Sequence, residues 1–93
     1  MKATDFKILE FLSEDAIKRG NISNPYIVES LLDDFVDILN VSSDEVFNAS
    51  QRLAARKFIL YFSIDNGIGT IKLTPDGYDY YISEKYKNKI GFN

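Results

Sequence analysis

The sequence contains no cysteine and no histidine. Without cysteine there is no disulfide framework and no thiolate nucleophile; without either residue the usual zinc-ligand sets and the commonest general base are excluded. No apolar run is long enough to span a bilayer, and no basic-then-apolar leader opens the chain, which reads as a cytosolic (cytoplasmic) protein with no membrane partner. A cationic excess is also missing. Residues 1–40 hold four Lys/Arg against eight Asp/Glu, residues 41–57 three against two, and residues 58–93 four against four, which sums to the net charge of −3. Nothing here resembles the strongly basic domain that nonspecific DNA affinity favours.

What is present is an ordinary globular composition, 45% hydrophobic and 27% charged over 93 residues. That length makes one domain, 1–93, close to the lower size at which a single core stabilises a fold unaided. The triplets beginning at Asn21, Asn40 and Asn48 fit a glycosylation pattern but have no meaning without a secretory route.

Apolar periodicity predicts four helices, at about 3–19, 25–39, 43–57 and 75–87, and a hairpin at 58–73. Phe6, Ile8, Leu9, Leu12, Ala16 and Ile17 share one helical face, with Phe11 on the other. Pro25 suits a first helical position, and Ile27, Val28, Leu31, Leu32, Phe35, Val36, Ile38 and Leu39 form an apolar half-cylinder. Asn40 tolerates the left-handed conformation at a helix end, and Ser42 with Glu45 makes a capping-box pattern for the third helix. Val46, Ala49, Ser50, Leu53 and Lys57 are expected inside; Asp44, Phe47, Asn48, Gln51, Arg52 and Ala55 outside.

An Asn66-Gly67 turn predicts the register Ile64–Gly69, Phe62–Ile71 and Leu60–Leu73 on the core face. Thr74 then caps a last helix with Pro75 at its first position. Tyr78, Tyr81, Ile82 and Tyr86 are expected buried and Tyr80 outward. Three helices, a hairpin and a fourth helix, with a two-residue turn between the second and third, imply an α+β helix-turn-helix packed on a small antiparallel hairpin.

The segment Leu39–Leu60, LNVSSDEVFNASQRLAARKFIL, resembles the helix-turn-helix core of winged-helix proteins, with Val46 and Leu53 at the buried positions of the recognition helix and Phe58-Ile59 opening the first wing strand. Lys57 stands where that pattern usually has Gly, which predicts a changed exit from the third helix. Leu73–Gly77, LTPDG, resembles the junction by which many bacterial and archaeal winged-helix regulators leave the wing and enter a C-terminal helix.

The resemblance implies a winged helix-turn-helix transcriptional regulator whose third helix enters the major groove of double-stranded DNA. Ser43, Phe47, Asn48, Gln51, Arg52, Arg56 and Lys72 are then the DNA-facing set. Asn48 and Gln51 suit adenine, Arg52 guanine or phosphate, and Phe47 a thymine methyl. It also implies a homodimer built by the first and last helices, with Phe11 and Tyr80 as interface aromatics.

Against DNA stand Asp44 and Glu45 at the head of the third helix, a wing tip at 65–69 without Arg or Lys, and the ridge Glu29, Asp33 and Asp37 on the second helix. The alternative is a protein-binding module of the same fold. The acidic ridge reads as a solvated face rather than a metal site, so no metal and no cofactor is expected. No acidic residue lies within an apolar run, and Gly67-Ile68-Gly69 falls in a hairpin loop. Neither paired-carboxylate hydrolysis nor phosphate-loop chemistry is supported, and the chain reads as a non-enzyme.

Overall fold

The apolar stripe of the first segment folds as α1 (Ala3–Lys18), which buries Ile8, Leu9, Leu12 and Ala16 completely. In this computed structural model, residues 1–20, 29–63 and 69–90 are described. They form an α+β fold ordered α1, β1 (Glu29–Leu31), α2 (Leu32–Leu39), α3 (Ser43–Ala55), β2 (Ile59–Ser63), β3 (Gly69–Leu73) and α4 (Pro75–Ile90). The core joins the α1 residues to Phe35, Val46, Ala49, Leu53, Ile59, Ile71, Leu73 and Tyr81. Full burial of a side chain such as Phe35 contributes about 1.5–3 kcal/mol before conformational entropy is set against it.

The second segment departs from the expected helix at 25–39. Its first part, 25–28, lies outside the described residues, and Glu29–Leu31 is a strand. β1 pairs antiparallel with β3 in the register Glu29–Lys72, Ser30–Ile71 and Leu31–Thr70, giving a three-stranded sheet ordered β1-β3-β2. The periodicity there is compatible with a helix, but a helix would leave one edge of β3 without ladder partners. Pairing those backbone groups overrides the local preference. α2 is therefore only eight residues long, burying Phe35 and half-burying Val36 and Leu39. Ile38, expected inside the half-cylinder, is 47% exposed.

β2 also differs by one residue. The observed pairs are Ile59–Leu73, Leu60–Lys72, Tyr61–Ile71, Phe62–Thr70 and Ser63–Gly69. Ile59, not Leu60, stands opposite Leu73, and Ile59 is fully buried. The Asn66-Gly67 turn lies outside the described residues. The register is instead anchored at the other end of the hairpin, where α3 hands over to β2. There the Phe58 N–H donates to the Leu53 carbonyl at 3.0 Å and the Lys57 N–H to the Ala54 carbonyl at 2.9 Å. This is the paired C-terminal closure of a Schellman motif, with Lys57 left-handed at φ +65°. Lys57 thus adopts the left-handed conformation that glycine takes most readily. It is exposed, not on the inner face.

A left-handed conformation costs a non-glycine residue about 1–2 kcal/mol, while glycine makes the unfolded chain freer by about 0.5–1 kcal/mol. Lys57→Gly should therefore raise stability by roughly 0.5–1 kcal/mol, and the β-branched Lys57→Val should lower it by at least as much. Denaturant midpoints ordered in the opposite sense would contradict this strand entry.

Asn40 closes α2 in the same way, at φ +55°, with the Val41 N–H donating to the Val36 carbonyl. The Ser42 hydroxyl then caps α3 by accepting from the Glu45 N–H at 3.1 Å. The interior of α3 is as the spacing predicts: Val46, Ala49, Ser50 and Leu53 are buried, and the Ser50 hydroxyl returns to the Val46 carbonyl.

Thr74 links three elements. Its N–H donates to the Phe58 carbonyl at 3.1 Å, its hydroxyl donates to the Lys57 carbonyl at 2.8 Å, and the same oxygen accepts from the Gly77 N–H at 3.0 Å. It caps α4 while holding the base of the hairpin against the end of α3. On α4, Tyr81 is buried and Tyr78 and Ile82 are half-buried. Tyr86, expected in that stripe, is 58% exposed. Tyr80, expected outward, is half-buried and stacks on Phe58 with ring centroids 4.8 Å apart.

Candidate nucleic-acid interface

α3 lies against α1, α2 and β2, so one side of it is committed to the core. The side away from the core carries Phe47, 45% exposed, with Asn48 and Gln51 exposed beside it. Ser43 is exposed at the first helical position, followed by exposed Asp44. Arg56 and Lys57 are exposed just beyond the last turn. Five of the seven expected DNA-facing residues therefore share α3 and its exit as open surface: Ser43, Phe47, Asn48, Gln51 and Arg56.

The other two are placed differently. Arg52 turns toward α1, where its Nε lies 3.1 and 2.9 Å from the two carboxylate oxygens of Asp5 and its Nη2 lies 2.7 Å from Oδ1. The Asp5 side chain is 2% exposed and that of Arg52 35%. Donation to the Asp5 carboxylate holds the guanidinium pKa above its ordinary value, against a smaller opposing effect of burial. The expectation that Arg52 points freely outward is thus corrected: a buried partner fixes it. Lys72 is half-buried on β3, in register between Leu60 of β2 and Glu29 of β1. Glu29 itself belongs to β1, so the expected acidic ridge on one helix reduces to exposed Asp33 and Asp37 on α2.

The head of α3 is bound to α1 by a second polar contact, in which the Thr4 hydroxyl donates to Glu45 at 2.8 Å. The Glu45 carboxylate is therefore drawn toward α1. On the far side of α1, Glu14 accepts from the Tyr81 hydroxyl and from Lys85 Nζ, the latter at 2.9 Å. Burial first, and the Glu14 bond second, push the Tyr81 hydroxyl pKa up, and the same carboxylate raises that of Lys85. Side-chain bonds thus hold α1 to α3 near one end and to α4 further along.

Asp5, Thr4 and Glu14 were not in the expected site set. Although no apolar run of the sequence surrounds it, Asp5 lies in the buried stripe with Ile8, Leu9 and Leu12. The signal was available: position 5 is three and four residues before Ile8 and Leu9, a spacing that puts all three on one helical face. Of the two expected interface aromatics, Phe11 is at the border of exposure and meets Phe35 edge-on at 5.3 Å. Tyr80 is engaged with Phe58, as described above. No helix among the described residues is long and apolar enough to cross a membrane. No family model, curated protein or solved structure matches the chain.

Proposed function

We propose that this chain is a winged helix-turn-helix module that reads the major groove of duplex DNA with α3, acting as a small transcriptional regulator. The observation that carries the reading is the open stripe Phe47, Asn48 and Gln51 on a helix whose opposite side is wholly buried. Such a helix is held rigidly by the core while presenting amide groups able to pair with the N6 and N7 edge of adenine. The three-residue link Asn40-Val41-Ser42 between α2 and α3, and the return of the chain through the antiparallel pair β2–β3, support the same fold reading. In this proposal the cytoplasmic homodimer forms through α1, with Phe11 in the interface.

One observation favours a second reading, a protein-binding module of the same fold. The guanidinium nearest the reading stripe is held by Asp5, and the stripe begins with an exposed aromatic, a residue type enriched at the centres of protein interfaces.

Association with mixed duplex DNA, measured across salt concentrations, separates the two. Few cations adjoin α3, so the DNA reading predicts a shallow dependence, with a slope of log K against log salt of roughly −2 to −4 per protomer. Gln51→Ala should weaken binding to the preferred sequence about tenfold while leaving that slope unchanged, because a base contact carries no counterion release. Association insensitive to salt, or absent at low ionic strength, would favour the protein-binding module.

A further inference from the structure

A groove of about 520 Å³ opens where the first turn of α1 meets the last turn of α3, lined by Met1, Lys2, Asp5, Arg52, Ala55 and Arg56. Three of these residues are cationic and one is anionic, so the lining is net +2 in a chain whose net charge is −3. The carboxylate is the buried partner of Arg52 rather than part of the open surface. A guanidinium has five N–H donors in a planar fork. Asp5 engages Nε and one position on Nη2, which holds the plane in place without exhausting its donors. A fixed, planar donor set flanked by two exposed cations, Lys2 and Arg56, suits a phosphate oxygen better than a neutral ligand.

We propose that this groove seats the phosphodiester backbone of duplex DNA, so that α3 approaches the duplex with its C-terminal end foremost. The proposal rests on the reading of α3 as the DNA-reading helix. Other charged surfaces fit a phosphate less well. The head of α3 carries exposed Asp44, and α2 exposes Asp33, Asp34 and Asp37. Lys72 lies in register opposite Glu29. A second groove, along α1, mixes Lys7 and Lys18 with Glu10, Glu14 and Asp15 and is net negative. Lys2 thereby becomes a DNA-contacting residue, and Asp5 the positioning residue for Arg52.

The test compares the intact chain with the double variant Lys2→Gln/Arg56→Gln, using one mixed-sequence duplex across a salt series. Both side chains are exposed, and unchanged thermal unfolding establishes that the fold is kept. The salt slope should become shallower by about two units, one for each phosphate contact removed. The control Lys7→Gln/Lys18→Gln should keep the original slope. An unchanged slope in Lys2→Gln/Arg56→Gln, with DNA still bound, would overturn the groove while leaving the α3 reading intact. Absence of any salt-sensitive association by the unaltered chain would overturn both. Inorganic phosphate should compete no better than chloride at equal ionic strength; saturable displacement of DNA by millimolar phosphate would mark a small-anion site and also overturn the proposal.

Discussion

Gly77→Ala should lower stability by about 3 kcal/mol, even though alanine is the better helix former. A β-carbon built on Gly77 would stand 2.1 Å from the Phe58 carbonyl oxygen, 2.9 Å from its carbon and 3.0 Å from its Cα. All three are backbone atoms, so no side-chain rotation can make room. Nor can the Phe58 carbonyl swing away freely, because it accepts the Thr74 N–H at 3.1 Å. Alanine gains about 1 kcal/mol of helix propensity over glycine. Overpacking in well-packed regions costs about 1–3 kcal/mol, occasionally more, and here the displaced group also loses a hydrogen bond worth about 1 kcal/mol. The unfavourable effects win. For a domain of this size the melting temperature should fall by more than about 10 °C. Ser83→Ala, at an exposed position of the same helix, should stay within about 0.5 kcal/mol of the unaltered chain. Equal stability of the two variants would show that the first turn of α4 does not lie against the Phe58 backbone.

The second large effect is an asymmetry between Asp5 and Arg52. Removing the cation with Arg52→Met leaves the Asp5 carboxylate, 2% exposed, without its counter-charge. A stranded buried carboxylate costs about 3 kcal/mol. Removing the carboxylate with Asp5→Leu instead leaves a guanidinium that is 35% exposed and can turn to water, which is less damaging. Replacing both together should recover most of the loss, since packed apolar pairs often substitute for buried ion pairs without penalty. The double-mutant cycle should then give a coupling of about 2 kcal/mol between positions 47 residues apart in sequence. Additive effects would mean that the two side chains are not partners in solution.

This pair also shows what a sequence reveals and what it hides. The helical content of Arg52, its position on α3 and its charge were legible from local spacing; its partner was not, because nothing local joins residue 52 to residue 5. The same division runs through the fold. Asn40, Ser42 and Thr74 act where their chemistry predicted, because caps depend on neighbours within a few residues. The inner face of α3 was legible for the same reason. β1 was not, because three residues with helix-compatible spacing were recruited by the open edge of β3. The Asn66-Gly67 pair points to a hairpin register one residue away from the observed one, because the Schellman closure at Lys57 fixes where β2 begins. Tyr86 and Ile38 fit apolar stripes that the neighbouring elements do not reach far enough to cover. Of the expected DNA-facing residues, those exposed on α3 were readable from periodicity. The cationic groove was not, since Lys2, Arg52 and Arg56 meet only when α1 and α3 pack.

The central claim is that α3 and the groove at its C-terminal end form one continuous DNA-binding surface. Amide chemical-shift mapping during titration with a mixed-sequence duplex at low salt tests it most directly. The account predicts shifts concentrated on Phe47, Asn48, Gln51, Arg56 and Lys2, with the Phe11 and Ile38 region of the α1 groove undisturbed. Shifts confined to that α1 groove, or no shifts at all, would contradict it.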